Sequence, residues 1–309
     1  MRVFVAGATG AIGRELVPQL LAAGHRVTGM TRSPERAERL RAAGAEAVVC
    51  DVFDAERLRA AIAEAHPEAV VHELTDLPES YDTNVRRLTT GTNRLRREGT
   101  PILLEAAQAA GARRFVAQSI AFAYAPEGDW VKEEDAPLSA DPAQAEVVNA
   151  LRSLEEAVVG APGLEGIVLR YGQFYGPGTY FAADGSIGEQ VRRRRFPIVG
   201  KGEGRFSFVH IEDAAAATVA AVERGRPGIY NVCDDEPAPM SEWLPVYAEA
   251  LGAKPPRRVP VLVARLAAGR TAAESATVMR GASNAKAREE LGWTPRYPSW
   301  REGFPAALS

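Results

Sequence analysis

Short apolar runs alternate with amphipathic segments along the first half of the chain. Residues 2–6, RVFVA, are apolar and end at a glycine turn, and apolar residues then recur at helical spacing from Ile12 until Gly24. The pattern repeats, with predicted strands at 26–30, 45–50, 69–72, 113–118 and 166–170 and predicted helices at about 34–43, 54–65 and 144–159. Six strands that alternate with helices predict a parallel sheet covered on both faces, because parallel neighbours need crossover connections.

The second half of the chain is less regular. Residues 171–185 are rich in glycine and aromatic residues and predict a loop, whereas 206–225 predict a strand and a helix that return to the main layer. GIYNVC predicts a further strand, and one more helix is expected near 241–251. We therefore predict an α/β fold with a doubly wound parallel sheet and a smaller C-terminal lobe. The sheet domain would comprise 1–170 and 207–232, and the lobe would comprise 171–206 and 233–309.

Composition narrows the class of protein. The chain has 309 residues, of which 46 % are hydrophobic and 25 % charged, as in ordinary globular proteins. Its 37 basic and 40 acidic residues give a net charge of −3, which does not favour nucleic acid or an anionic membrane as a partner. Two separated cysteines, Cys50 and Cys233, fit neither a disulfide framework nor a metal cluster. Without a leader-like start or a long apolar run, the chain is expected to be soluble and cytoplasmic, with no metal site.

A glycine turn follows the first predicted strand and opens the first helix. The sequence GATGAIG places Gly7, Gly10 and Gly13 at the spacing of a dinucleotide-binding turn. In such a turn the first glycine allows the tight bend, the second lets a pyrophosphate approach and the third lets helix and strand pack closely. Helix N-terminal amides also favour a phosphate. We predict that the turn binds the cofactor through Gly7, Ala8, Thr9, Gly10, Ala11, Ile12 and Gly13.

The end of the second strand indicates which dinucleotide is bound. NAD sites usually have an acidic residue about 20 residues after the glycines, whereas this chain has Thr31, Arg32 and Ser33. A guanidinium between two hydroxyls suits a 2′-phosphate, so NADP(H) is preferred, with NAD(H) as the alternative. We expect Asp51 and Val52 near the adenine end of the cofactor. Leu74 and Thr75 are expected near the pyrophosphate and the nicotinamide ribose.

Several segments together resemble a known family. GATGAIG, LLEAAQAAGARRFV, LRYGQFYGPG, FSFVHIEDAAAA, GIYNV and KAREELGWTPRYPSWREG are similar to the extended short-chain dehydrogenase/reductase family, in its NAD-dependent epimerase/dehydratase group. The resemblance covers nearly the whole chain. It implies a Rossmann domain with a C-terminal substrate lobe, hydride chemistry at a secondary alcohol or carbonyl, a small-molecule substrate and a homodimer.

One family motif is absent. The family's Tyr-x-x-x-Lys pair passes a proton as the hydride moves, because the lysine lowers the pKa of the tyrosine. The chain has four lysines, and none has a tyrosine four residues before it. When the chain is aligned by SLEEAV, Val147 and Leu151 stand at the two positions. The family's catalytic Ser or Thr corresponds to Ser119 or to Ile120.

Other polar residues could supply the proton or contact the substrate. Tyr171 follows the sixth predicted strand, and its phenol either faces the substrate or closes the pocket by packing. Ser119 is the second candidate donor, and both residues are also expected beside the cofactor. His72 and Glu73 either titrate near neutral pH at the site or are hydrogen-bonded structural residues of the strand end, whereas His210 and Asp213 are interpreted as structural. Candidate substrate contacts are Tyr124, Gln173, Phe174 and Arg205, of which Arg205 is either a phosphate ligand or a plain surface charge.

Two functions follow from these residues. The first is an NAD(P)-dependent oxidoreductase of the epimerase/dehydratase type that acts on a small polar carbonyl, alcohol or sugar-like substrate. In that case the proton would come from Tyr171, Ser119 or water. The second is an NADP(H)-binding sensor or scaffold without redox turnover.

Overall fold

The computed structural model describes residues 1–82 and 84–308. In this part of the chain, seven parallel strands form one sheet. They are β1 Arg2–Ala6, β2 Arg26–Thr31, β3 Glu46–Val49, β4 Ala69–His72, β5 Arg114–Ile120, β7 Glu165–Tyr171 and β12 Gly228–Val232. Their order across the sheet is β12-β7-β5-β4-β1-β2-β3. The predicted α/β fold is confirmed. The order reverses on either side of β1, which is where ligands bind in sheets of this type.

Helices cover both faces of the sheet, as the apolar runs of the strands require. Their bounds are α1 Ala11–Ala22, α2 Pro34–Ala42, α3 Ala55–Ala65, α4 Val85–Arg94, α5 Thr100–Ala109, α6 Ala145–Val159 and α8 Ile211–Arg224. Buried side chains of α1, α2 and α8 form one core against the sheet, and those of α3, α5 and α6 form the core on the other face. A π-helical turn, Leu95–Gly99, joins α4 to α5.

The remaining elements are mostly short and gather around a separate aromatic core. They are β6 Val131–Lys132, β8 Gln173–Tyr175, β9 Ile198–Val199, β10 Arg205–Phe206, β11 Phe208–His210, β13 Ala238–Pro239, β14 Arg258–Val259, β15 Gly281–Ala282, α7 Ser186–Arg192, α9 Met240–Ala250, α10 Val261–Ala268, α11 Arg270–Val278, α12 Ala285–Leu291 and α13 Trp300–Leu308. Phe208, Trp243 and Phe304 lie at the centre of this core. The exact division into sheet domain and lobe stays a prediction.

One predicted strand pairs differently from the prediction. The apolar run at 206–210 was expected to rejoin the main layer, but β11 pairs with β8 in a separate two-stranded ladder. Phe208 packs into the aromatic core of the lobe, whereas the following helix, α8, returns to the sheet and packs against α1. An apolar run of this length does not specify which strand it will pair with, and here the lobe core holds it.

Candidate active site

The glycine turn has the shape that a dinucleotide needs. Gly7 has a φ of +97°, and a Cβ atom there would lie 2.7 Å from the carbonyl of Glu73. A Cβ on Gly13 would lie 2.3 Å from the carbonyl oxygen of Gly7. Gly10 is exposed, and its added Cβ would meet only that same oxygen, at 3.3 Å. Gly7 and Gly13 are therefore required by the fold, and Gly10 leaves the helix N-terminus open to a phosphate.

The other residues of the turn divide between core and cleft. Ala8 and Ile12 are buried against the sheet, so they can contact a cofactor only through their backbone. Gly10 and Ala11 line a cleft of about 1530 Å³ at the carboxyl end of the sheet. Thr9 reaches across to β2, where 3.2 Å separates its Oγ1 atom from that of Thr31. The residues present fit the diphosphate of a dinucleotide.

Positive charge collects beside the turn, at the start of α2. Ser33 caps this helix by accepting a hydrogen bond from the Arg36 amide at 3.2 Å. The side chains of Arg32 and Arg36 both line the cleft. Arg32 lies 3.8 Å from Asp76, but both side chains are exposed, so this pair holds the guanidinium weakly. The sequence analysis missed Arg36, although its place in the first turn of a predicted helix could have indicated it.

The remaining predicted cofactor residues lie at the ends of β3 and β4. The Asp51 carboxylate accepts a hydrogen bond from the Phe53 amide at 2.9 Å, and Val52 is buried. Leu74 packs against the core, whereas Thr75 lines the cleft. The carboxyl ends of neighbouring parallel strands thus bring these segments to the same edge of the sheet as the glycine turn.

His72 and Glu73, at the end of β4, are both buried. His72 Nδ1 accepts a hydrogen bond from the Leu74 amide, and its Nε2 lies 3.0 Å from the Thr100 hydroxyl. Burial lowers the pKa of His72 to about 4 and raises that of Glu73 to about 8. Both side chains are therefore neutral near pH 7, as expected of groups within the core.

The two predicted proton donors, Tyr171 and Ser119, are hydrogen-bonded to other buried side chains. The Tyr171 hydroxyl is buried, 2.6 Å from the Thr218 hydroxyl and 3.3 Å from a Glu73 oxygen, and burial raises its pKa well above the usual value. Ser119 is fully buried and donates to Glu155 at 2.7 Å. This geometry argues against the expected proton-donor role of either hydroxyl, although Tyr171 is one of the residues that line the cleft.

Three of the four predicted substrate residues line the cleft. Gln173 and Phe174 belong to β8, and the Phe174 ring lies 5.3 Å from that of Tyr171. Tyr124 also lines the cleft, but its hydroxyl donates to Asn231 at 2.6 Å. Arg205 does not belong to the cleft lining, because its guanidinium donates to the Pro237 carbonyl at 3.2 Å.

Apolar side chains stand at the positions where the sequence alignment predicts the missing family motif. Ile120 and Val147 line the cleft, and Leu151 is fully buried in a small apolar cluster beneath Tyr124. Glu155, four residues after Leu151, forms a buried ion pair with Arg170 at 2.6 Å. Gln118 and Arg96 are cleft residues that sequence reasoning missed, and no spacing signal marked either of them.

His210 and Asp213 have the structural roles predicted for them. His210 accepts a hydrogen bond from the Glu212 amide at the start of α8. Asp213 accepts hydrogen bonds from the amides of Arg296 and Tyr297 at 2.7 and 3.0 Å. Within residues 1–82 and 84–308 no cluster of His, Cys, Asp and Glu could hold a metal ion, and no helix there could cross a membrane.

A nucleotide-sized cleft over the carboxyl ends of a parallel sheet, entered by a glycine turn, defines a dinucleotide-binding oxidoreductase fold. The model of the NAD dependent epimerase/dehydratase family matches residues 3–233. The chain belongs to this family, and it is an enzyme of the oxidoreductase type for which NAD(P) is the expected cofactor.

Individual relatives agree with this assignment. The 3-diazoavenalumate denitrifying reductase of a Streptomyces species is 48% identical, over 98% of this chain and 99% of that protein. The UDP-glucose 4-epimerase of Corynebacterium glutamicum is 27% identical, over 97% of this chain and 93% of that one.

Solved structures are similar over the whole chain. The Thermus thermophilus UDP-glucose 4-epimerase in complex with NAD has a TM-score of 0.72 and 26% identity, and the match covers 100% of this chain and 98% of that one. A human epimerase family protein with NADPH has a TM-score of 0.74 at 20% identity, with 100% and 99% covered. The homodimer expected from the resemblance stays a prediction.

Proposed function

We propose that this enzyme is an NADPH-dependent reductase that replaces a diazonium group on an aromatic carboxylate by hydrogen and releases dinitrogen. The observation that carries the proposal is that Ile120 and Val147, which the alignment predicts to stand where the family has its proton-transfer residues, are apolar residues of the cleft wall. A 48% identical relative that is named as a denitrifying reductase of a diazo-substituted carboxylate supports it.

The proposed reaction differs from carbonyl reduction in its need for a proton donor. A carbonyl that accepts a hydride becomes an alkoxide, and the family's tyrosine supplies the proton that this oxygen needs. Here Ile120, Val147 and Leu151 carry no exchangeable proton. A carbonyl substrate would therefore have to take its proton from water, and turnover would be slow.

A diazonium carbon needs no such proton. When bound, NAD(P)H supplies a hydride that forms the new C–H bond of an arenediazonium ion, while the C–N bond breaks toward dinitrogen and no proton is taken up or released. The protein's part is then to orient the ring, exclude water and hold the charged ends of the two reactants. Ile120, Val147 and Phe174 give the cleft the apolar surface that suits an aromatic ring.

Positive charge at the N-terminus of α2 supports the preference for NADPH. Arg32 and Arg36 both line the cleft beside the N-terminus of α2, and no carboxylate stands at the end of β2. Two guanidinium groups at a helix N-terminus suit the 2′-phosphate of NADP(H). Ser33 and Thr31 support this site by capping the helix and by fixing the strand end. NAD(H) remains the alternative cofactor.

Turnover with a substrate pair tests the proposal. The enzyme is incubated with NADPH and either 4-carboxybenzenediazonium or 4-carboxybenzaldehyde, with enzyme-free reactions as blanks. We expect NADPH consumption, dinitrogen and benzoate in equal amounts from the diazonium salt, and at least about 100-fold slower reduction of the aldehyde. Faster reduction of the aldehyde, or NADPH oxidation without dinitrogen, would contradict the proposal. The sensor expected as a second function is not favoured, since the chain belongs to an enzyme family.

A further inference from the structure

Arg96 is a buried cation on the wall of the cleft. It lies in the π-helical turn Leu95–Gly99, its side chain is only 6% exposed, and it contributes to the cleft lining. Its one hydrogen bond within the described chain runs from Nη1 to the Asn93 amide oxygen, at 3.4 Å. A guanidinium has five N–H donors, so most of its hydrogen-bonding capacity is unused.

The other buried arginines are neutralised by carboxylates. Arg114 donates to Glu165 at 2.7 Å, and Arg170 donates to both oxygens of Glu155 at 2.8 and 2.6 Å. No carboxylate of residues 1–82 or 84–308 lies within ion-pair distance of Arg96. Glu155 lies close enough to act on Arg96 electrostatically, but Arg170 and Ser119 already occupy its two oxygens. Burial lowers the pKa of Arg96 to about 10, and the attraction of the Glu155 carboxylate offsets only part of this effect.

An uncompensated buried charge is costly, and proteins rarely retain one that has no ligand. Gln118, Ile120 and Val147, which are uncharged, line the same cleft as Arg96. The planar fork of a guanidinium matches a carboxylate with two parallel hydrogen bonds. A π-helical turn, where the ordinary helical hydrogen bonding is interrupted, is also a frequent setting for functional side chains.

We propose that Arg96 binds the carboxylate of the substrate and selects anionic substrates over neutral ones. This deepens the proposed function, on which it rests for the aromatic part of the substrate. Binding the carboxylate end of the substrate would fix its ring in the cleft and would also neutralise the charge of Arg96.

Binding without turnover tests the proposal independently of denitrification. Benzoate and cinnamate, and their methyl esters as neutral probes, are titrated by calorimetry into the NADP⁺-loaded wild type, Arg96→Met and Arg97→Met. Arg97 is the exposed neighbour in the same turn and serves as the matched control. We expect Arg96→Met to weaken carboxylate binding by about 30-fold or more and to leave ester binding unchanged, while Arg97→Met behaves as the wild type.

A stability measurement separates ligand binding from a structural role. Because Arg96 forms no ion pair with any residue that the structure describes, Arg96→Met should unfold at the same temperature as the wild type or higher. Arg96→Gln, which keeps a donor for Asn93, provides a second variant. Equal carboxylate affinity in wild type and Arg96→Met, no carboxylate binding by the wild type, or a loss of NADP⁺ affinity in Arg96→Met would each overturn the proposal. Failure to release dinitrogen would overturn only the reaction proposed above.

Discussion

At the scale of single residues, the cleft is distinguished by the partners that its charged side chains have and lack. Arg170 and Arg114 form close ion pairs with carboxylates, whereas Arg32, Arg36 and Arg96 line the cleft and, among the described residues, only Arg32 has an ion-pair partner, the exposed Asp76. Such guanidinium groups can bind anionic ligands. Their separate places, at the start of α2 and at the junction of α4 and α5, suit the phosphate of a cofactor and the carboxylate of a substrate.

Reversing the charge of Arg32 should change the choice of cofactor. We expect Arg32→Asp to raise the Kd for NADPH by roughly 10- to 100-fold, because a charge-assisted pair is replaced by repulsion, and to affect NADH much less. Fluorescence titration of both cofactors measures this ratio. Arg39→Asp, on the exposed face of the same helix, is the control. An unchanged NADPH-to-NADH affinity ratio in Arg32→Asp would remove the proposed phosphate site.

Glu73 should make the protein less stable as the pH rises. Its pKa is raised to about 8 in the folded state, so the folded protein retains a proton that the unfolded chain releases above about pH 4.5. The free energy of unfolding therefore falls between pH 4.5 and 8, by at most about 3–5 kcal/mol. His72 acts in the opposite direction: because its folded pKa is about 4, stability falls as the pH drops below about 6.5.

Urea titrations at a series of pH values test the contribution of Glu73. We expect Glu73→Gln to flatten the decline above pH 5, because the amide cannot ionise. Glu56→Gln, at an exposed position of α3, should leave the slope as in the wild type. A slope that persists in Glu73→Gln would assign the decline to other groups.

At the scale of elements, the strand–turn–helix unit could be predicted from the sequence because each requirement is local. The glycine spacing, the apolar strand before it and the helical periodicity after it all lie within about twenty residues. The pairing of β11 with β8 could not be predicted, since it depends on a lobe core assembled from distant segments. The same holds for Arg96, whose lack of a carboxylate partner is visible only in three dimensions.

Alanine substitutions at two glycines of the turn should have different effects on stability and on cofactor binding. Gly13→Ala places a methyl group against the backbone of Gly7 and Ala8, and we expect it to destabilise the protein by about 2–4 kcal/mol. Gly10→Ala should fold with a loss of no more than about 1 kcal/mol. It should nevertheless bind NADPH at least about 10-fold more weakly, since its methyl group stands at the mouth of the turn. Thermal unfolding and cofactor titration together measure both effects, and equal behaviour of the two variants would contradict this division of roles.

At the scale of the whole molecule, the C-terminal helix α13 connects the lobe core to the chain that leaves the sheet. Trp300 is fully buried, its amide donates to Asp234 at 2.9 Å, and its indole nitrogen donates to the Glu236 carbonyl at 2.9 Å. Asp234 and Glu236 directly follow β12. This junction joins the sheet to the aromatic core, and residues of both line the cleft.

Removing the Trp300 side chain should weaken the whole fold. We expect Trp300→Ala to lower the free energy of unfolding by about 3–5 kcal/mol, through lost burial and a cavity in the lobe core. Trp130 is 39% exposed, and Trp130→Ala should cost about 1 kcal/mol or less. Chemical denaturation measures the free energy of unfolding of both variants. A similar loss of stability in each would contradict the proposed contribution of α13 to the fold.

The origin of the new hydrogen atom in the product decides whether the enzyme transfers a hydride to the diazonium carbon. We expect 4-carboxybenzenediazonium, turned over with NADPH deuterated at nicotinamide C4 in ordinary water, to give benzoate with one deuterium on the carbon that carried the nitrogen. Turnover with unlabelled NADPH in D₂O should then give unlabelled benzoate, with a solvent isotope effect on kcat close to one. Solvent deuterium on that carbon, or a marked solvent isotope effect, would contradict a reductase that works without a proton donor.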